Sequence, residues 1–578
     1  MSKGDPGQKV RWVARELTPS DPPIPMPTAI WNVLCARGMA ASHEIEKILR
    51  PRLHDMAHPF SLDQMDLAVR RLVEAHKAKE PILIYGDYDL DGTPGLALLR
   101  EGFEKLGFAR ILSFQPSRMN DGYGLHAHHA LRFAKEGVRL VVTVDVGITD
   151  IEAVDELNRA GVDVIVTDHH LPKDRMPNAF AVVNPNKGEC GSSLQHLCGT
   201  GVAFYLILAV RMALEKESLL REPFDPKTLL DLFALATITD MVPLVRENRV
   251  LVKHGLKILA KTERPGLRLL LRELGLYGRE LTAHDIGFRL APKLNALTRL
   301  EDGISAYDVL TANAETANEL VERALQINEK RRALQEHAGR VAKDLIRQKA
   351  PQNDRFIFVY SREFHPGVIS LIANDLMASY QLPAFVGAVR DNGHIVGSAR
   401  APRAGDMNLQ AVFQDVNRWL VRSGGHRHAA GFELKVENAD GLHEALGQTF
   451  ATITVAKQKD GECVEKTIFY DAEIRLTDFS HDFMAWHDVL EPFGPGFESP
   501  AYLMRGLRVR SARKLKNKFM RYSLTDGMNE IEAPWFENPI EFEPGTRIDL
   551  LFEPQWNHYN GRRTLQAKIL AARPSVKD

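Results

Sequence analysis

Length, composition and charge already exclude several classes of protein. The 578 residues are too many for one hydrophobic core, so we expect roughly three or four domains. Lys and Arg number 74 against 75 Asp and Glu, which excludes a basic field over the whole surface, and polyanion binding would need local patches. The 4 cysteines include no CxxC pair, and there is no apolar run of about 18 residues. We therefore expect a cytoplasmic protein that contacts no membrane.

Hydrophobic runs in the first third of the chain alternate with stretches of helical length. The runs are Ile82–Tyr85, Ile111–Phe114, Leu140–Val144 and Val162–Val166. Amphipathic segments such as GLALLREGFEKLG separate them, and this spacing predicts a parallel sheet with crossover helices. Such sheets bind ligands beyond the carboxyl ends of their strands, so a functional site is expected there.

Acidic and imidazole side chains follow several of these runs. The stretch PILIYGDYDLDGTPG carries three aspartates at alternate positions, and the full set is Asp87, Asp89, Asp91, Asp145, Asp168, His169, His170 and Asp240. The first three acids alone could belong to a solvated turn, because Asp and Gly are turn formers. Several acid-bearing ends in one predicted sheet favour a cation site instead.

The types and number of ligands indicate the chemistry. Carboxylates with one or two imidazoles and no thiolate suit Mn²⁺ or Mg²⁺. The set exceeds what one ion needs, whereas two ions about 3.5–4 Å apart, bridged by one carboxylate, would use it and activate a water against a phosphoester. The residues therefore predict phosphoester hydrolysis.

The same stretches carry a family resemblance. In chain order, GDYDLDG, TVDVG, TDHH and ATITDMVPL resemble the four motifs of the DHH phosphoesterase superfamily. Later segments, among them SRMNDGYGL, GFRLAPKLNA, FHPGVISLIA, GSAR, GGHRHAAGF and LEPFGPG, resemble the RecJ family of bacterial single-strand-specific exonucleases. The resemblance extends from about residue 45 to residue 570.

The resemblance implies two metal sites that share one ligand. The first site would be formed by Asp91, Asp145, His169 and Asp240, and the second by Asp89 and Asp145. Asp87 would lie beside the second site, either as a ligand or as the base that orients the attacking water. His170 would face the scissile phosphate, with Asp168 supporting His169 or its loop.

The resemblance also implies a pocket for the 5′ end of the substrate. Its members would be Arg118, Arg299, Ser398 and Arg400, with Asn295 and His426 as further substrate-binding residues. In NALTR, Thr298 stands where the family usually has glycine, and it would be strained if that position has a positive φ. A second departure is GFESP at 496–500, where the family commonly has Gly-Asn.

The predicted fold class is α/β, with five segments. They are an N-terminal helical preamble at 1–75, a parallel-sheet DHH domain at 76–315, a connecting helix at 316–350, a DHHA1-type α/β domain at 351–455, and an OB-fold β-barrel at 456–578. Apolar positions at helical spacing support the connecting helix. The DHH, DHHA1 and OB assignments rest on the resemblance.

A basic run at 508–521 lies in the last segment. Lys514, Lys516 and Lys518 alternate, which puts three ammonium groups on one strand face, with Phe519 and Tyr522 nearby. The run is either a solvated face or part of a groove that follows single-stranded DNA and stacks its bases on aromatic rings. The resemblance favours the groove.

Two other clusters are interpreted as structural. The histidines of LHAHHA at 125–130 are expected at the surface. Cys190, His196 and Cys198 have no evident fourth zinc ligand.

Three functions are compared. The favoured one is a metal-dependent 5′ to 3′ exonuclease of single-stranded DNA that releases mononucleotides in recombination and repair. It would act as a monomer, with a helicase and a single-strand-binding protein as partners that the sequence does not establish. The alternatives are a DHH phosphodiesterase of short oligoribonucleotides or cyclic dinucleotides, and a non-catalytic scaffold like Cdc45, which loses metal ligands. Every ligand position is filled here, which favours catalysis.

Overall fold

The computed structural model describes residues 10–17, 20–39, 41–188, 194–348, 355–403, 407–459, 466–515, 519–536, 539–559 and 562–575. It confirms the predicted fold class: a parallel-sheet α/β domain is joined by a long helix to a second α/β domain and a C-terminal barrel. No helix in these ranges combines the length and the apolar character needed to cross a membrane.

The first domain is built on a five-stranded parallel sheet. Up to this sheet's last strand the elements are β1 Val10–Ala14, α1 Thr28–Ala36, α2 Ser42–Leu49, α3 Met65–Ala78, β2 Pro81–Gly86, α4 Gly92–Lys105, β3 Arg110–Phe114, α5 Ala127–Ala134, β4 Leu140–Val144, α6 Ile151–Arg159, β5 Asp163–Thr167 and β6 Ala181–Val183. The strand order is β3-β2-β4-β5-β6, and all four pairings are parallel. The central strands β2 and β4 read as continuous aliphatic runs because both faces of the sheet are covered.

Helices then complete the first domain and lead out of it. They are α7 Gly199–Lys216, α8 Leu230–Thr239, α9 Arg246–Leu259, α10 Pro265–Glu273, α11 Ala283–Asp285, a π-helical turn Ile286–Leu290, α12 Ala291–Leu300, α13 Ala306–Leu310 and α14 Ala317–Gln348. Helix α14 has 32 residues, so it is about 48 Å long. Val321 and Ala324 bury its first half in the first domain, and Ala338 and Ala342 bury its second half in the next domain.

The second α/β domain has a mixed sheet, and the last domain is a closed barrel. Their elements are β7 Ile357–Ser361, α15 Ile369–Tyr380, β8 Ala384–Val389, β9 His394–Arg400, α16 Leu409–Asp415, β10 Arg422–His426, β11 Ala429–Lys435, α17 Ala439–Lys459, β12 Lys466–Tyr470, β13 Ala472–Glu473, α18 His481–Val489, β14 Tyr502–Leu515, β15 Phe519–Thr525, β16 Glu530–Trp535, β17 Arg547–Tyr559 and β18 Arg562–Pro574. The mixed sheet has the order β10-β11-β9-β8-β7. Pairing of β14 with both β15 and β17 closes the barrel.

Short 3₁₀ turns lie at Leu53–Asp55, Pro59–Ser61, Pro226–Leu229, Asn417–Trp419, Val436–Asn438 and Leu476–Asp478.

Different parts of the N-terminal region pack on different domains. Strand β1 pairs in parallel with β12, and Ile30 and Trp31 of α1 are buried in the core of the barrel domain. Helix α3 instead packs on the first domain through Met65 and Leu72. An amphipathic helix must bury its apolar face, but the sequence does not reveal that the partner lies more than 400 residues away.

The barrel domain also contacts the first domain directly. Arg249 of α9 donates to the Pro492 carbonyl at 2.8 Å, and its guanidinium lies 4.1 Å from the centre of the Phe497 ring. The backbone N–H of Leu244 donates to the Pro495 carbonyl at 2.7 Å. The GFESP departure therefore lies in a domain interface, where its phenylalanine is buried.

Candidate metal centre

Predicted acids follow three neighbouring strands at one edge of the parallel sheet. Asp87 comes directly after β2, Asp145 after β4 and Asp168 after β5. Because the carboxyl ends of parallel strands meet at one edge, these three turns lie side by side. Asp240 reaches the same edge from the C-terminal end of α8. The predicted site is thus formed by both the sheet and a helix.

The N-terminus of α7 holds Asp91. The N–H groups of Gly199 and Thr200 donate to its two carboxylate oxygens at 2.6 and 2.8 Å, where the helix dipole favours negative charge. A Cβ on Gly199 would lie 2.5 Å from the Cβ of Asp145. This glycine therefore allows Asp91 and Asp145 to approach the same helix end.

His169 lies at the centre of one group of ligand atoms. Its Nε2 is 3.3 Å from Asp145 Oδ1, 3.6 Å from Asp91 Oδ2 and 3.6 Å from Asp240 Oδ2. The ligand atoms of Asp91, His169 and Asp240 all lie within 4.8 Å of one another. The four residues predicted for the first metal site are therefore brought together.

A second group adjoins the first. Ligand oxygens of Asp87, Asp89 and Asp145 also lie within 4.8 Å of one another. Asp89 Oδ1 accepts from the N–H of Asp91 at 2.7 Å and of Gly92 at 3.1 Å, which fixes the direction of that carboxylate. Asp145 belongs to both groups, which is the position predicted for a bridging ligand.

Burial and like charge make these acids unfavourable neighbours. One oxygen each of Asp87, Asp145 and Asp240 is buried without a well-aligned hydrogen-bond partner among the described residues. Burial, followed by the neighbouring carboxylates, raises the pKa of Asp145 well above its ordinary value. The same two causes raise the pKa of Asp87 and Asp89, and they raise the pKa of Asp240 to about 9.

Divalent cations fit this donor set. They would neutralise the converging charges and use the oxygens that lack hydrogen bonds. Hard oxygen ligands with an imidazole suit Mn²⁺ or Mg²⁺, as the sequence predicted. Burial lowers the pKa of His169, which keeps its imidazole in the neutral form that binds metals.

Asp168 and His170 form an ion pair beside the acids. Asp168 Oδ1 lies 2.8 Å from His170 Nδ1 and also accepts from the backbone N–H of His169 at 2.7 Å. Burial disfavours both charges, but this pairing lowers the pKa of Asp168 and raises the pKa of His170 to about 9. His170 is therefore protonated at neutral pH, with Nδ1 directed to Asp168.

Three residues that form hydrogen bonds with the loops of this site were not predicted from the sequence. The Tyr123 hydroxyl donates to the Asp145 carbonyl at 3.2 Å and lies 3.1 Å from His170 Nδ1. Asn184 Nδ2 donates to the His170 carbonyl, and Asn186 Nδ2 to the His169 carbonyl. Tyr123 stands in the quoted GYGL motif, which is the one signal that could have indicated it. The two asparagines bind backbone atoms and leave no sequence signal.

Three predicted substrate-binding arginines come from different parts of the chain and meet near the acids. Arg299 Nη1 donates to Ser370 Oγ at 2.9 Å, and Arg400 Nη1 donates to Ser398 Oγ at 2.9 Å. Burial, then Arg118, Arg331 and Arg400, lowers the pKa of Arg299 to about 9. In the described ranges none of Arg118, Arg299 and Arg400 forms an ion pair with a carboxylate.

The expected strain at Thr298 does not occur. Thr298 lies inside α12 and does not have a positive φ, and its Oγ1 donates to the Asn295 carbonyl at 3.1 Å. A helical position accepts threonine without the glycine that the family uses. Asn295 lies one helical turn before Arg299 and is half-buried.

The remaining predicted binding residues lie in the second α/β domain, in the barrel or outside the described ranges. His426 is exposed in the edge strand β10. In the barrel, Lys514 Nζ lies 3.4 Å from Glu541 Oε2, while Lys516 and Lys518 are outside the described residues. Tyr522 is buried and its hydroxyl donates to the Ile540 carbonyl, so the prediction that it is available for base stacking was wrong.

The two clusters interpreted as structural were the histidines of LHAHHA and the Cys190–Cys198 segment. His128 is exposed and His126 and His129 are half-buried, as expected for surface histidines, and ligand atoms of Asp121, His128 and His129 lie within 4.8 Å of one another. Cys190 lies outside the described residues, and Cys198 is buried 3.6 Å from Thr237 Oγ1.

Comparisons with known proteins indicate one family. Family models match residues 81–237 (DHH family, N-terminal domain), 353–452 (DHHA1 domain) and 470–571 (RecJ OB domain). The single-stranded-DNA-specific exonuclease RecJ of Haemophilus influenzae is 31% identical over 552 residues, which cover 92% of this chain and 94% of that protein. The RecJ of Escherichia coli is 29% identical over 97% of this chain and 99% of its own.

Solved structures of RecJ proteins are similar to this chain as well. RecJ from Thermus thermophilus in complex with Mn²⁺ superposes with a TM-score of 0.80 at 25% identity, covering 98% of this chain and 80% of that one. A structure of exonuclease RecJ bound to manganese is 32% identical, with a TM-score of 0.58 over 68% of this chain and 95% of that one.

Fold and site together define a DHH-type phosphoesterase. The extent of the sequence match decides the subgroup: the chain belongs to the RecJ family.

Replacing either of two buried aspartates by asparagine should change stability in opposite directions. In chelator, Asp145→Asn relieves charge repulsion and should raise Tm, by about 2–4 °C per kcal/mol for a domain of this size. Asp168→Asn breaks a satisfied ion pair and should lower Tm. Scanning calorimetry with chelator and with Mn²⁺ measures both, and Mn²⁺ should stabilise Asp145→Asn less than the parent chain. A Tm for Asp145→Asn below that of the parent in chelator would contradict the repulsion.

Proposed function

We propose that this chain is a metal-dependent exonuclease that degrades single-stranded DNA from its 5′ end and releases 5′-mononucleotides. The observation that carries the proposal is a two-part carboxylate cluster next to an arginine cluster without carboxylate partners. Arg118 connects the two, because its charge acts on both Asp87 and Asp89. The RecJ relatives named above are single-stranded-DNA-specific exonucleases, which supports the same activity here.

The carboxylate cluster would hold two ions. Asp91, Asp145, His169 and Asp240 would bind one, and Asp89 with Asp145 the other. Bound there, the ions would lower the pKa of a water and stabilise the charge on the leaving oxygen. Asp87 has a buried oxygen without a hydrogen bond, which suits either a further ligand or the base that orients this water.

His170 would act on the phosphate rather than on an ion. Its Nδ1 faces Asp168, so the protonated Nε2 is left to donate to an oxygen of the scissile phosphate. Hydrolysis adds the water oxygen to phosphorus and breaks the bond to O3′ of the terminal nucleotide. The terminal nucleotide then leaves with its 5′ phosphate.

The arginine cluster would hold the 5′ phosphate. Burial, followed by neighbouring guanidinium groups, lowers the pKa of Arg299 and of Arg400, so an anion would stabilise their charges, and Ser398 adds a hydroxyl next to Arg400. Asn295 and His426 are further proposed contacts for the strand. Because the cluster combines residues of both α/β domains, it would bind an end rather than the middle of a strand, and that would set the polarity.

The barrel would bind the rest of the strand. Arg513 and Arg521 face each other directly on β14 and β15, an arrangement of like charges that a phosphate would stabilise. Glutamates already pair with Arg510, Lys514 and Arg521, so the net basic patch is smaller than the sequence suggests. Lys516 and Lys518 are proposed members, and Phe519, 5.6 Å from Phe536, supplies an aromatic pair.

Neither alternative function is favoured. A phosphodiesterase of short oligonucleotides would not need the barrel, and a Cdc45-like scaffold would have lost ligands that are all present here. Action in recombination and repair, helicase and single-strand-binding partners, a monomeric state and a cytoplasmic location stay predictions.

Digestion of end-labelled strands tests the activity. With Mn²⁺, a 5′-labelled single strand should release labelled mononucleotide from the first turnover, while a 3′-labelled strand should shorten in single steps. Asp145→Ala should reduce the rate by several orders of magnitude, because both ions lose a ligand. Mononucleotide released first from the 3′ label would overturn the polarity.

Arg400→Ala should weaken selection of the 5′ phosphate. Removing one charged hydrogen-bond partner is expected to cost about 1.5–3 kcal/mol, and the loss should appear in KM for 5′-phosphorylated strands but not for 5′-hydroxyl strands. Arg390→Ala is the matched control, because Arg390 lies at the opposite end of the β8–β9 pair. An unchanged preference in Arg400→Ala would remove Arg400 from the pocket.

Arg513→Gln should weaken binding of long strands. Deleting the barrel would be a poorer test, because it would also remove the pairing of β12 with β1 and the hydrogen bonds between the barrel domain and α9, and so could destabilise the rest of the chain. In a plot of log Kd for long strands against log salt concentration, the slope should fall by about one unit, because one phosphate contact is lost. Arg510→Gln, whose arginine is paired with Glu530, should change the slope less. Equal slopes for Arg513→Gln and the parent would mean that this basic face of the barrel is exposed to solvent and does not bind the strand.

A further inference from the structure

A second group of metal-ligand side chains lies outside the proposed two-ion centre. Ligand atoms of Asp121, His128 and His129 lie within 4.8 Å of one another. Asp121 belongs to the loop after β3, and the two histidines belong to the first turn of α5. None of the three is a member of the acidic cluster, and the proposed function uses none of them. The group is therefore a separate feature of the molecule.

These side chains converge more closely than a helical backbone requires. Consecutive residues of a helix point about 100° apart and do not face each other. The ring centres of His128 and His129 are nevertheless only 4.0 Å apart. His129 Nε2 lies 3.1 Å from Asp121 Oδ1, but this buried nitrogen has no well-aligned hydrogen-bond partner among the described residues. In a tetrahedral site with ligand distances of about 2.0–2.1 Å, ligand atoms are about 3.3 Å apart. The pair is thus spaced as two ligands of one ion.

An ordinary ion pair does not explain the whole group. His54 and Asp55 form such a pair, with Nε2 3.0 Å from Oδ1, and no third ligand joins them in the described part of the chain. At α5 the imidazole of His128 makes a third member, and the ring centre of His126 is 6.0 Å from it. His126 Nε2 lies 3.4 Å from the Gly122 carbonyl, a long contact that rotation of the side chain would break. His126 can therefore supply a fourth ligand.

The donor types decide which ion fits. Imidazoles outnumber carboxylates in this group, whereas carboxylates outnumber imidazoles in the acidic cluster. Imidazole-rich sets of four ligands suit Zn²⁺, and oxygen-rich sets suit Mg²⁺ or Mn²⁺. The two groups of one chain are therefore matched to different ions.

We propose that Asp121, His128 and His129 form a zinc site that fixes the loop between β3 and α5. Asp121 Oδ2 accepts from the Ser117 N–H at 2.8 Å, while Oδ1 faces the histidines. An ion bound to Oδ1 would join the start of the loop to the first turn of the helix. With His126 as the fourth ligand the site is closed, which makes it structural rather than catalytic.

The loop connects this zinc site to the proposed active site. Arg118, a proposed phosphate contact, lies between Ser117 and Asp121 in the chain, and the Tyr123 hydroxyl donates to the Asp145 carbonyl at 3.2 Å. Zinc would therefore reduce the motion of two side chains on which the proposed function depends. Binding of the ion itself does not depend on that function, so the two proposals can fail separately.

Zinc content after equilibrium dialysis tests the site. The buffer contains excess Mg²⁺, which competes for the oxygen-rich cluster, and a low concentration of Zn²⁺. At the same free zinc, the parent chain should retain one Zn²⁺ more than His128→Gln, whose exposed position should leave folding intact. The affinity should fall roughly a hundredfold, because a direct ligand is lost. His54→Gln, which alters an exposed His–Asp pair without further ligands, is the matched control and should keep the zinc of the parent.

Two further measurements identify the geometry and its effect on the loop. Co²⁺ in place of Zn²⁺ absorbs visible light strongly in a tetrahedral site and weakly in an octahedral one. The parent and His54→Gln should show the strong bands, and His128→Gln should lose them. Amide hydrogen exchange should slow over residues 115–126 when Zn²⁺ is added to the parent, but not when it is added to His128→Gln.

Equal zinc content in the parent and His128→Gln, or the absence of tetrahedral Co²⁺ bands from the parent, would overturn the zinc site. Zinc that binds without slowing exchange in the loop would overturn its role in fixing that loop. In either case, digestion of 5′-labelled strands by the parent with Mn²⁺ would still decide the proposed function independently.

Discussion

Repulsion among buried carboxylates is the constraint on which the rest of this structure depends. Asp87, Asp89, Asp145 and Asp240 converge from two strand ends, one loop and one helix, and each has a raised pKa because it is buried among other acids. A fold tolerates such a cluster only if something binds there. Oxygen donors with one neutral imidazole make that ligand a divalent cation, and the shared position of Asp145 makes room for two.

The surrounding structure can be understood as support for this cluster. The N-terminus of α7 stabilises the charge on Asp91, Asp168 keeps His170 protonated, and two asparagines hold the loop of His169. The segment that follows Asp240 is itself held, since Leu244 and Arg249 bind the loop at 490–497 of the barrel domain. The barrel domain thus supports the first domain through these contacts, in addition to its proposed role in strand binding. The arginine cluster likewise requires two domains to be in place.

Most of the correct predictions rested on local patterns in the sequence. The strands and the acids after them were predictable because buried parallel strands appear as apolar runs separated by helical segments, and because the loops that follow such strands meet at one edge of the sheet. The family motifs added which ligands belong to the same metal site. Contacts across long distances were not predictable. The packing of α1 on the barrel, the burial of Tyr522 and the asparagine contacts with backbone carbonyls depend on tertiary structure that no short stretch encodes. Thr298 shows the converse, because a departure from a motif looked strained only while its helical backbone was unknown.

Anomalous diffraction at the manganese absorption edge, from crystals of the chain grown with Mn²⁺, tests the central claim most directly. The account predicts two peaks in the acidic cluster, one contacting Asp91, His169 and Asp240, the other contacting Asp89, and both contacting Asp145. A single peak, or manganese bound only at Asp121, His128 and His129, would contradict it.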